Sequence, residues 1–222
     1  MTRPLLWSGV LGPPLFVVAF LIEGATRQGY DPARLPISLL SLGDLGWTQT
    51  ANFIVDGALM IAFAVGLRRS LPSLAGAAEL GSLLVGIFGA GLIGAGIFPA
   101  DPGGGYPPGS SASLSGSTGT QHDLSTLVVF GALIAGCFAV SRHFAVRAQT
   151  GWATYSAATG TIVAVGFVLM VIGFSGTNDI TLVAGLVMRL TVIAGWSWIA
   201  ALAIHELRAQ RGRSFGSSLD SG

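Results

Sequence analysis

The chain has 222 residues, 51% of them hydrophobic and only 9% charged, with a mean hydropathy of +0.71. A water-soluble domain carries roughly a quarter charged residues, so this balance excludes an ordinary soluble domain and points to lipid as the main solvent. A formal net charge of +1 gives no case for a nucleic-acid partner, which calls for a clustered basic face.

A membrane-spanning helix needs about 20 apolar residues to cross a hydrocarbon core about 30 Å thick. Six stretches qualify, at about 5–22, 49–67, 80–98, 122–141, 152–174 and 180–204. They predict an all-α fold: a polytopic bundle of six transmembrane helices over residues 1–206. Residues 207–222 read as a disordered cytoplasmic tail, short, basic and rich in Ser and Gly.

Arg3 precedes the first apolar run, as in a signal peptide. The run is long and no small-residue cleavage site follows, so it reads as the first span. The stretch GYDPARLPISLLSLGDLGWTQTANFIVDG, residues 29–57, comes next. Pro36 suits the first position of a helix and Gly43 the position just past its end. Between them ISLLSL predicts a short helix lying in the outer interface or tucked between spans. Trp47 fits the aromatic belt at the membrane surface.

Gln49, Asn52 and Asp56 follow at spacings of three and four, which stacks them on one face of the second span. Asp56 lies about 10 Å deeper than Gln49 at the helical rise. Arg189 enters the sixth span from the same side, so an Asp56–Arg189 ion pair is expected, with Asn52 and Gln49 completing a polar stripe. In the third span, small residues at Gly86, Ala90 and Gly94 leave one face open to a close neighbour. That face fits packing within one copy or against a second, so a homo-oligomer stays open. The following loop, DPGGGYPPGSSASLSGSTGTQHD, reads as a mobile connector. Thr120-x-x-Asp123 at its end matches a capping box for the fourth helix.

Eight arginines (3, 68, 69, 142, 147, 208, 211 and 213) fall on one side and three (27, 34 and 189) on the other. This asymmetry places both termini in the cytoplasm and the chain in the cell membrane. All eleven basic residues are Arg, which fits a GC-rich bacterial genome. Cys137 sits alone in an apolar run and reads as a core residue. His143 and His205 lie at the opposite face from His122, so no shared metal site is expected, and no cofactor. The two three-helix halves show no inverted repeat, which weighs against a transporter.

The run RLPISLLSLGDLGWTQTANF, then GLRR at 66–69, GIFPADP at 96–102 and Gly119-x-x-His122 together resemble the DUF998 family. Arg189 and Trp196 also fit that pattern, and the likeness covers nearly the whole chain. The family consists of six-span prokaryotic membrane proteins without an established activity. It typically carries His-Pro where this chain has Leu35-Pro36, and that departure weakens a metal reading. The resemblance implies that Pro36, Ser38, Gly46, Trp47, Gln49, Asn52, Asp101 and His122 belong to one outer-side set.

The preferred reading is a non-enzymatic membrane protein. It would bind a lipid or small amphiphile in an outer-side polar pocket built from Gln49, Asn52, Asp56, Asp101, His122 and Arg189. Two alternatives stand beside it. One is a membrane hydrolase or transferase acting on lipids, with His122 as base and Ser38 or Ser125 as nucleophile, although no GxSxG elbow surrounds either serine. The other is a proton-coupled transporter titrating Asp56.

Overall fold

Six helices take up the apolar segments in order: α1 (Thr2–Thr26), α2 (Gly46–Ser70), α3 (Ala77–Ile97), α4 (Ser117–Ala145), α5 (Thr150–Phe174) and α6 (Ala184–Leu219). The computed structural model describes residues 2–70, 77–110, 116–176 and 179–219, and no strand occurs among them. All six helices are long and apolar enough to cross a membrane. Lipid offers the backbone no hydrogen-bond partner, and a helix satisfies its own N–H and C=O groups internally. Side chains such as Leu11, Leu15, Ile162 and Val165 remain exposed, which suits contact with acyl chains.

Each helix packs on its neighbours in the chain, and α6 returns to close on α1. The result is a ring of six helices with both termini at one face. Its centre is filled by aromatic rings. Trp196 of α6 stacks on Phe16 of α1 with centroids 5.2 Å apart and meets Phe88 of α3 edge-on at 4.9 Å. Phe16 also touches Phe53 of α2. The Trp196–Phe88 contact ties the non-neighbouring α6 and α3 together through the middle of the ring.

The closest helix approach is between α2 and α3. A Cβ on Gly57 would stand 2.6 Å from the Gly89 carbonyl oxygen, and one on Gly89 would stand 2.7 Å from the Gly57 oxygen. Only glycine fits this reciprocal contact. The expected stripe of Gly86, Ala90 and Gly94 is therefore not the tightest seam. Gly86 has Ala64 as its nearest neighbour at 3.6 Å, and Gly94 faces Ser125 of α4. Because α3 lies between α2 and α4, it needs small residues on two faces, and a single i, i+4 stripe describes neither.

Two loops at the face opposite the termini fold over the ring. The first contains a 3-10 helix, Ile37–Ser41, with Pro36 at its N-cap and Gly43 at positive φ just beyond. Its start and stop match the sequence reading. Of its two expected placements the structure has the tucked one: Ile37, Ser38, Leu39 and Leu40 are buried, and the helix plugs the end of the ring. Trp47, at the start of α2, is 67% exposed, as an interfacial ring should be.

The second loop, expected to be a mobile connector, docks onto the first over residues 98–110. Tyr106 meets Tyr30 edge-on at 5.3 Å, and the Gly29 and Gly104 backbones leave room for Pro108 and Leu35. Residues 111–115 of that loop lie outside the described residues. The expected capping box is also replaced. Helix α4 starts at Ser117 with Gly116 at the N-cap, so Thr120 and Asp123 lie inside it. Asp101 supplies the negative charge from the preceding loop and accepts the Gly116 N–H at 2.8 Å. A Cβ at Gly119 would collide with that carboxylate.

At the other face, α6 continues to Leu219, through most of the segment whose composition reads as a tail. Leu207 is buried, and Glu206 accepts a hydrogen bond from Ser70 of α2 at 3.2 Å.

Candidate functional site

The polar residues of α2 face inward, as their spacing predicts. Gln49 and Asp56 are buried, and Asn52 donates to Gln49 Oε1 and to the Phe16 carbonyl, both at 3.2 Å. Gln49 Nε2 has no partner.

Asp56 does not pair with Arg189. Its Oδ2 accepts the Trp196 Nε1–H at 2.7 Å, while Oδ1 lies against Gly12 of α1 without a partner. The reason is register. Trp196 lies seven residues, or about 10 Å, beyond Arg189 on α6, and it is Trp196 that reaches the level of Asp56.

Arg189 stands instead at the level of the first loop. Its Nη1 donates to the carbonyls of Pro32 (2.6 Å), Leu35 (3.1 Å) and Gly185 (3.0 Å), and Nη2 donates to the Tyr30 hydroxyl at 2.6 Å. Tyr30 in turn reaches the Leu35 and Pro36 carbonyls. Burial raises the pKa of the Tyr30 hydroxyl, and the nearby Arg189 charge opposes that shift only in part. Arg189 is thus an internal anchor that fastens residues 30–36 to α6.

His122, near the start of α4, is buried against the end of α3. Its Nδ1 lies 2.8 Å from the Phe98 carbonyl oxygen and 3.2 Å from that of Ala95. Two carbonyl oxygens can only accept, so Nδ1 carries the proton. In the neutral ring Nε2 then presents a lone pair. It has no partner among the described residues and is not among the sealed-off polar atoms.

His122 lines a cleft of about 730 Å³ at the loop face. The walls come from residues 34–39 and 100–104, the first turns of α4, the last turns of α5 and the start of α6. Its lining includes the ionisable side chains Arg34, Asp101, His122 and Asp123 and, from α4 and α5, the apolar Leu127, Phe167, Met170, Val171 and Phe174. A second void of about 30 Å³ lies deeper, among Phe16, Phe53, Leu92 and Trp196, with room for about one water. The two share Ser38, His122, Thr126 and Met188 as a common wall.

Of the six candidate residues, the structure brings only Asp101 and His122 into the cleft. Gln49, Asn52 and Asp56 lie along α2, and Arg189 sits beneath the first loop. Sequence reasoning missed Arg34 and the apolar lining, and it gave Asp123 to a cap. Arg34 carried a signal, a lone charge at a helix-poor turn, but it entered only the topology count. Among the described residues, no group of three or more His, Cys, Asp or Glu side chains is placed to hold a metal ion.

The ring of six membrane-length helices, with a half-polar cleft at one face, defines a multi-pass membrane protein. The chain belongs to the family described as protein of unknown function (DUF998), whose family model matches residues 10–205. No curated protein and no solved structure matches it.

Proposed function

We propose that this protein is a non-enzymatic component of the cell membrane that holds a lipid or small amphiphile in the loop-face cleft. The observation that carries the reading is a cleft lined both by charged side chains and by apolar ones. Leu127, Val171 and Phe174 of its lining are exposed at the surface of a membrane-length bundle, so a tail can enter from the bilayer while a headgroup meets the charged side chains. The arginine count supports an outward-facing cleft, because eight of eleven arginines lie toward the face of the termini.

The competing readings have less support. His122 Nε2 makes no hydrogen bond to Ser38 or to Ser125, whose hydroxyl donates to the Gln121 carbonyl, so the base is in contact with neither candidate nucleophile of a hydrolase. Asp56 lines neither cavity, which leaves a proton-coupled cycle without a visible route to it. The test is lipid co-isolation. Protein purified in mild detergent should retain about one lipid per chain, and Met170→Trp together with Val171→Trp, which narrow the cleft where its lining is apolar, should lower that amount. Equal lipid content in the narrowed variant would remove the cleft as the binding site.

A further inference from the structure

We propose that the cleft selects a zwitterionic amphiphile carrying a phosphate beside a primary ammonium group. This rests on the binding reading above and adds the headgroup chemistry.

The cleft lining contains three charged side chains, and one is already engaged. Asp101 accepts the Gly116 N–H at the start of α4, where the helix dipole compensates its charge. Arg34 and Asp123 remain. Each is exposed and lines the cleft, and neither has a hydrogen-bond or ion-pair partner among the described residues. Arg34 differs in this from Arg27 and Arg189, whose guanidinium groups are held by neighbouring carbonyls and side chains. The free charges are therefore one cation and one anion, not paired to each other. A ligand that complements both is itself a zwitterion.

The third element is His122. His122 lines the cleft, and with Nδ1–H directed at the Ala95 and Phe98 carbonyls, Nε2 is the acceptor of the neutral ring. Asp123 is likewise an acceptor. Together they ask for a group that donates hydrogen bonds, and an ammonium offers three N–H donors while a trimethylated ammonium offers none. Arg34 supplies the fork suited to a phosphate. A headgroup of the phosphoethanolamine type meets all three requirements. A phosphocholine headgroup keeps the phosphate and the charge but leaves both acceptors unsatisfied.

The experiment uses the full chain in a neutral sugar-based detergent. It is titrated by calorimetry with short-chain phosphatidylethanolamine, phosphatidylcholine and phosphatidylglycerol of the same acyl length. The expected result is binding of the ethanolamine lipid about tenfold or more tighter than the choline lipid. Asp123→Asn, at an exposed position that need not disturb folding, should shrink that preference. Arg34→Gln should weaken both zwitterionic lipids by a similar factor. His122→Phe should also lose the preference, and Asp123→Asn keeps the test decisive if that buried substitution unfolds the protein. Equal binding of the ethanolamine and choline lipids, or a preference for the glycerol lipid, overturns the headgroup inference while leaving the cleft as an amphiphile site. Absence of saturable binding to all three overturns the binding reading itself.

Discussion

Trp196 donates its indole N–H to Asp56 at 2.7 Å across the interior of the helix ring, joining α6 to α2 at the same level where Trp196 stacks on Phe16 and meets Phe88. One residue thus satisfies a buried carboxylate and fills the centre of the bundle. Trp196→Phe keeps an aromatic ring in that stack but leaves Asp56 without a donor, and should cost about 1–3 kcal/mol. Asp56→Asn retains an acceptor oxygen and should cost less. Thermal melting in detergent checks both, and an unchanged midpoint for Trp196→Phe would show that the bond contributes nothing.

Arg189 holds the first loop through three hydrogen bonds, two to the Pro32 and Leu35 carbonyls and one to Tyr30, and donates a fourth to Gly185 of its own helix. Arg189→Met removes all of them and leaves the Pro32 and Leu35 oxygens without this donor. Destabilisation of about 3 kcal/mol or more is expected, since hydrogen bonds to a charged group are worth about 1.5–3 kcal/mol each and do not simply add. Hydrogen exchange is the sharper readout. Amides of the 3-10 helix at Ile37–Ser41 should lose protection before those of α2 and α3. Uniform loss across the bundle would contradict a local anchoring role.

These two residues also show what the sequence could and could not convey. Six spans, the Pro36 and Gly43 boundaries and the inward face of Gln49, Asn52 and Asp56 follow from length, turn chemistry and helical spacing, which are local. Asp56 suggested an ionic partner because opposite charge is the only long-range cue visible in a sequence. Its actual partner is a neutral indole, and the partners of Arg189 are backbone carbonyls, which every residue possesses. The cleft was illegible for a related reason. Arg34, Asp101, His122 and Phe174 come from four separate elements, and only the closure of α6 on α1 and the docking of the two loops set their relation.

Tyr30 gives the fold a dependence on alkaline pH. Burial raises its pKa above the ordinary value of 10.0, so the folded state favours the protonated phenol. Its contribution is complete below pH 10 and is lost as pH rises from there through the higher folded pKa. Wild-type protein should therefore destabilise in that alkaline window by an amount that Tyr30→Phe does not show. At neutral pH, Tyr30→Phe should itself cost about 1–2 kcal/mol through the lost bonds to Arg189 and the Leu35 and Pro36 carbonyls. Parallel pH curves for the two proteins would refute the assignment.

Gly57 and Gly89 face each other closely enough that either Cβ would meet the opposing carbonyl oxygen, at 2.6 and 2.7 Å. Gly89→Val must push α2 and α3 apart, and overpacking of this kind costs about 1–3 kcal/mol. Gly86→Ala, with its nearest neighbour at 3.6 Å, should be nearly neutral. Comparing the two by thermal melting separates a specific seam from a general need for small residues. Equal effects would argue for the latter.

The orientation of the cleft can be tested without knowledge of its ligand. Asp44, in the loop before α2, and Gln149, between α4 and α5, are both exposed and lie at opposite faces of the ring. Cys137 is buried and should stay unreactive, so it need not be removed. If the arginine-rich face is cytoplasmic, a membrane-impermeant maleimide added to intact cells should label Asp44→Cys and leave Gln149→Cys unmodified until the membrane is permeabilised. Labelling of Gln149→Cys alone would turn the cleft toward the cytoplasm, and its amphiphile would then come from the inner leaflet.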